Sequence, residues 1–224
     1  MRALEGATGN LNLSVREYDI AAATEIAFGQ VVKLSEGLVV SAVVAETGAI
    51  LGVAMEYHSG AADALNPRSN GTKIKVCDAP DLVMACAAFE ITATGGSATT
   101  VTASTLGAYS ADDWNGGFLV LVSKANGSTN TDAIGTVKRI TDYAYNSTGT
   151  VSTFTVASAG AANEGDKYLL FPPLGLAKFN LDSTKTKLVN TAVNGTSLKV
   201  VGYDLEQKQI KLMAAKHFLG NYAG

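Results

Sequence analysis

The chain has 224 residues, of which 47% are hydrophobic and 17% charged, with a formal net charge of −3. The charged share lies below the roughly 25% of an average soluble protein, and the high hydrophobic share excludes disorder, which needs low hydrophobicity and high net charge. Lys and Arg form no run, which argues against a nucleic-acid partner bound by a phosphate-neutralising stripe, and no stretch approaches the ~18 consecutive apolar residues of a membrane span.

Residues 1–27 carry no steady hydrophobic period. Tyr18 to Ala27 fits either a short helix through Ala21, Ala22 and Ala23 or an extended arm. From Phe28 onward the pattern is that of strands. Phe28 to Leu34, Leu38 to Val44 and Ala49 to Met55 are rich in Val and are separated by Gly-containing breaks. Lys73 to Cys77 alternates polar and apolar, as a strand with one wet face does. Ala79-Pro80 reads as a turn, which would set Cys77 opposite Leu82 and Cys86 opposite Lys73. In that register the sulfurs are too far apart to bond, so both cysteines are expected as buried free thiols.

Phe89 to Thr94 leads into Gly95-Gly96-Ser97-Ala98-Thr99-Thr100, a small-residue stretch that reads as a linker or domain crossing. Phe118 to Val122, Ile134 to Tyr143, Val151 to Ala157 and Lys167 to Phe171 follow as strands, and Pro172-Pro173 ends the block. Ser197 to Tyr203 and Gln207 to Met213 pair as a hairpin across Asp204 to Glu206. Strands at this spacing indicate an all-β fold of small barrels or sandwiches. The expected organisation is an N-terminal arm (1–27) and a first β-barrel domain built from 28–88 plus 174–224. A second β-domain (89–173) is inserted into the first.

No catalytic residue, cofactor-binding residue or metal ligand set emerges. His58 and His217 stand alone, and neither has a partner at zinc-ligand spacing. No Gly-x-Ser-x-Gly elbow or phosphate-binding glycine loop occurs. Asp112 and Asp113 are adjacent, so on an extended chain they face opposite ways and make a poor acid–base pair. The single tryptophan, Trp114, is expected in the core rather than on a sugar-binding face with Phe118, Tyr143 and Tyr145. The first residues lack the charged and apolar regions of a signal peptide, so synthesis in the cytoplasm of the producing cell is expected.

Three segments recur in a recognisable order: Phe28-Gly29-Gln30-Val31-Val32-Lys33-Leu34, then Ile50-Leu51-Gly52-Val53-Ala54, then Gly71-Thr72-Lys73-Ile74-Lys75-Val76. This order resembles the small β-barrel decoration (cement) proteins of tailed bacteriophages. Trp114 to Val120, Ile134-Gly135 and Gly165 to Tyr168 are similar to β-modules of phage virion proteins. The chain departs from the smallest such proteins by its length and its apparent insertion. The resemblance implies a non-enzymatic virion protein, made in a bacterial host and bound as a homotrimer to the outer capsid surface. The implied partner is the major capsid protein. In that reading Leu11, Leu13, Val15, Tyr18 and Ile20 of the arm are candidate capsid contacts, adding a strand to a neighbouring subunit. Another virion component (head fibre, tail or coat protein) and a carbohydrate-binding or adhesin module are the alternatives.

Overall fold

The computed structural model describes residues 2–6, 14–21, 24–60, 73–104, 106, 109–110, 113–148, 150–157, 160–176, 180–182, 188–189 and 197–219. These contain strands, turns and bends and no helix. The strands are numbered in chain order.

The first sheet runs in the order β2 (Val15–Asp19), β8 (Lys73–Cys77), β6 (Gly52–Ala54), β4 (Val31–Ser35), β5 (Leu38–Ser41). It curls until its edge strands meet. Ile20 makes a parallel bridge with Val39, and the Ala21 amide donates to the Val39 carbonyl at 3.2 Å. Enclosed are Ile20, Ile26, Val32, Val39, Leu51, Ala54, Ile74 and Val76. Period-two alternation produces this interior: Lys73 and Lys75 are exposed, Ile74 and Val76 buried. A Cβ at Gly52 would overlap the Cys77 carbonyl, so β6 can approach β8 this closely only with glycine. A short pair, β3 (Glu25–Ile26) with β7 (His58–Ser59), places Ile26 in the same core.

The next six strands close a barrel in the order β10 (Phe89–Ser97), β11 (Thr100–Ala103), β14 (Val151–Val156), β13 (Val137–Asn146), β12 (Phe118–Ser123), β15 (Lys167–Phe171), with β15 pairing back to β10. Val101, Ala103, Leu119, Leu121, Ile140, Phe154, Tyr168 and Leu170 are buried, while Thr100, Thr102, Thr153 and Thr155 sit on the half-exposed positions between them. Trp114 is fully buried, with edge-on contacts to Phe89, Tyr109 and Phe154, as expected of a core tryptophan.

A third sheet has the order β1 (Arg2–Gly6), β9 (Leu82–Ala87), β20 (Gln209–Ala214), β19 (Leu198–Asp204), β16 (Gly175–Leu176). A two-stranded pair, β17 (Asn180–Leu181) with β18 (Leu188–Val189), completes the set. All six barrel strands thus come from 89–171, whereas β9 before that stretch pairs with β20 after it.

Three expectations change. Gly95-Gly96 is not a linker: β10 runs through it to Ser97, with a register shift between Ala93 and Gly95. Gly95 has φ 144°, and a Cβ on Gly96 would collide with the Thr100 carbonyl. The small residues bend the strand at a barrel corner instead of releasing it. β8 and β9 do not form a hairpin, because each pairs within a different sheet and Asp78 to Asp81 crosses between them. Cys77 and Cys86 are nevertheless both buried, and neither is in a disulfide. Finally, Val15–Asp19 is not an unpaired arm but a ladder strand, with Tyr18 opposite Ile74. Ile20, just after it, is buried by the curled sheet.

Candidate functional site

Several strands alternate polar and apolar residues, but Phe118-Leu119-Val120-Leu121-Val122 and Tyr168-Leu169-Leu170-Phe171 are continuous apolar runs. Such runs mark strands covered on both faces. Leu119, Leu121, Tyr168 and Leu170 fill the barrel, which leaves Phe118, Val120, Val122, Leu169 and Phe171 on its outer wall. The β19–β20 hairpin covers part of that wall. Phe118 stacks on Phe171 at 4.7 Å between centroids, and Tyr203 meets both rings edge-on at 4.8 and 5.7 Å. The Tyr203 hydroxyl donates to the Pro172 carbonyl at 2.5 Å, and burial pushes its pKa up to about 12.

Beyond the hairpin tip the wall stays open. Val120, Val122, Ile134, Leu169, Phe171, Leu205 and Lys208 line a cavity of about 210 Å³. Ile134 is 66% exposed, Leu205 51%, and Val137, the cross-strand neighbour of Val120, 51%. Lys208 has φ 55°, a left-handed conformation in the hairpin turn. Arg139, cross-strand from Phe118, is exposed on the same wall. The arrangement is an apolar trough with cations at its margin. It can bind another surface by burial.

A polar network closes one end of the barrel, where the loop 124–136 meets residues 160–166. Asp166 accepts from the Ala125 amide at 2.9 Å, the Asn163 amide at 3.1 Å and Asn130 Nδ2 at 2.9 Å. Burial alone would raise its carboxyl, but these hydrogen bonds hold it below the usual carboxylate range. Asn130 also donates to the Tyr168 hydroxyl at 3.1 Å, and burial first of all pushes that phenol up to about 12. Lys138 pairs with Asp132 in the same place and donates to the Gly160 carbonyl at 2.8 Å.

The candidate arm residues are not gathered at either feature. Leu11 and Leu13 lie outside the described residues. Val15 is exposed, Tyr18 packs against the small-sheet core and donates to the Asp78 carboxylate, and Ile20 is 8% exposed. Neither Trp114 nor Tyr143 can serve a sugar platform, since both are buried. Asp113 accepts the Ser110 amide at 2.8 Å, and Asp112 lies outside the described residues. His58 contacts the Thr24 carbonyl at 3.1 Å, and His217 bridges to Ile50. Among the described residues, no group of three or more His, Cys, Asp or Glu is placed to hold a metal ion.

No motif in the sequence marks the trough by itself. Its signal was the unbroken apolar run Phe118 to Val122, which announces a covered outer face without saying by what. No known protein family, no curated protein and no solved structure matches the chain.

Proposed function

We propose that the chain is a structural virion protein that binds the outer surface of a tailed-phage capsid and stabilises contacts between major capsid subunits. It acts by binding, not by catalysis. The observation that carries this reading is the open apolar trough of Val120, Val122, Ile134, Val137 and Leu205. Exposed apolar surface of this kind on a folded domain marks a protein-binding face. Two further features support it. The segments that resemble decoration proteins fall on β4, β6 and β8, which are consecutive neighbours in one sheet. The pairing of β9 with β20 around the 89–171 barrel suits an inserted module, built on a first domain of 28–88 plus 174–224. A homotrimer seated at capsid symmetry positions gains avidity from repeated weak contacts without any strong single one.

The test is the molar ratio of this chain to the major capsid protein in purified particles of the phage that encodes it. A ratio near unity, or a simple fraction of it, is the expected result. Absence from the particle overturns the reading. A few copies per particle moves the protein to a tail or head-fibre position.

A further inference from the structure

Lys138 stands where the barrel's alternation calls for an apolar side chain. On β13, Val137 and Arg139 are exposed, and Lys138 and Ile140 are buried. The register partner of Lys138 is Leu119, itself fully buried. The lysine side chain is 1% exposed and that of Asp132 only 10%. Enclosing both charges in a barrel end is costly even when they pair, because each gives up its hydration.

The neighbours hold the two groups against each other. The Lys138 Nζ is fixed from one side by the Gly160 carbonyl at 2.8 Å and lies 5.9 Å from the centre of the Tyr168 ring. Asp132 is fixed through its own amide, which donates to Asn130 Oδ1 at 3.0 Å. Asn130 is in turn anchored by Asp166 and Tyr168. The Asp132 carboxyl packs directly against the Gly160 backbone, where any Cβ would displace it and come within 2.6 Å of Asn130 Oδ1. An amine and a carboxyl group are therefore held in contact, largely out of water, by two loops that cannot separate without breaking the network.

We propose that Lys138 and Asp132 are joined by an isopeptide bond. The ammonium passes one proton to the carboxylate, and the freed Nζ lone pair attacks Cγ. The new C–N bond forms as one C–O bond breaks, and the departing oxygen takes the second amine proton and leaves as water. Atoms and charge balance with no oxidant, cofactor or further reactant. The protein supplies proximity and exclusion of water. The product amide is uncharged, which removes the burial cost of both ions, and it staples the loop 124–136 to the start of β13. This inference is independent of the virion reading.

Peptide mapping of the purified, denatured and trypsin-digested protein tests it. Trypsin cannot cut after an acylated Lys138, so cleavage after Lys124 and Arg139 releases 125–139 as one peptide. The expected peptide is lighter than its sequence mass by one water and yields no backbone fragments between 132 and 138, because those residues form a ring. In the K138R protein the bond cannot form, and the peptide ending at position 138 is expected at full mass. Recovery from wild type of the open peptide ending at Lys138, at full sequence mass, overturns the proposal and leaves a buried ion pair. Loss of water with fragmentation intact between 132 and 138 overturns it equally, by placing the loss elsewhere.

Discussion

His217 shows how much one buried ring decides. Burial holds its imidazole below the ordinary range, with the Leu51 backbone and the Asp78 carboxylate opposing that effect in part. A histidine that resists protonation in the folded state stabilises the fold above the unfolded pKa and loses that stability as pH falls. Stability to urea is therefore expected to drop as pH falls below ~6.5, and H217Q is expected to flatten that part of the profile. Glu46 and Asp166 act lower on the scale. Burial alone would raise both, but their hydrogen bonds, and for Glu46 the Lys33 ion pair at 2.9 Å, hold them below the usual range. Their contribution is lost only under more acidic conditions. Trp114, fully buried among Phe89, Tyr109 and Phe154, is expected to cost ~3–5 kcal/mol when replaced by Ala. Chemical denaturation measures that loss. The core role of Trp114 was legible from composition, since a lone tryptophan among β-branched residues is normally packed. The buried role of Lys138 was not, although its place in phase with Ile140 was a visible anomaly.

At the scale of elements, the small sheet bears on stability and the trough on the proposed binding. β2 is an edge strand in the ladder, but Ile20 beside it closes the curled sheet on Val39. Deleting residues 2–20 removes that closure along with Tyr18, and loss of the Ile20 side chain alone is worth ~2–5 kcal/mol. The truncated protein is expected to melt markedly earlier than wild type. The trough behaves in the opposite way. I134D and L205D change exposed residues, so each is expected to leave denaturation within ~0.5 kcal/mol of wild type while reducing occupancy on capsids at least tenfold. A co-sedimentation assay reads that occupancy directly. Normal occupancy of both variants would remove the trough from the binding surface. The strands themselves were legible: Lys73–Cys77 and Lys167–Phe171 fall on the predicted residues, and β19 and β20 form the predicted hairpin. Gly95-Gly96 misled because the same small residues serve a linker and a strand bend, and only the pairing partner distinguishes them.

Across the whole molecule, the aromatic contact of Phe118, Phe171 and Tyr203 joins the barrel to the third sheet. Its residues belong to three strands, one of them in the C-terminal hairpin. Replacing Tyr203 by Ala removes two ring contacts and the hydrogen bond to Pro172. The expected outcome is faster amide hydrogen exchange in β19 and β20, with β11 and β14, which pair with neither β12 nor β15, least affected. Uniform acceleration over all strands would mean instead that the barrel and the third sheet open as one unit.

Local chemistry determined a good deal. Valine-rich runs, period-two alternation and glycine breaks required strands. Pairing partners were a different matter. A strand's own residues state which face is apolar, but not which other strand satisfies its backbone hydrogen bonds. Thus Cys77 and Cys86, nine positions apart in the chain, lie in separate sheets, while Leu82–Ala87 finds its neighbour in Gln209–Ala214. The trough exists because the hairpin covers only part of the wall that Phe118 to Val122 creates. The extent of that cover is set by long-range packing, which only the tertiary structure decides.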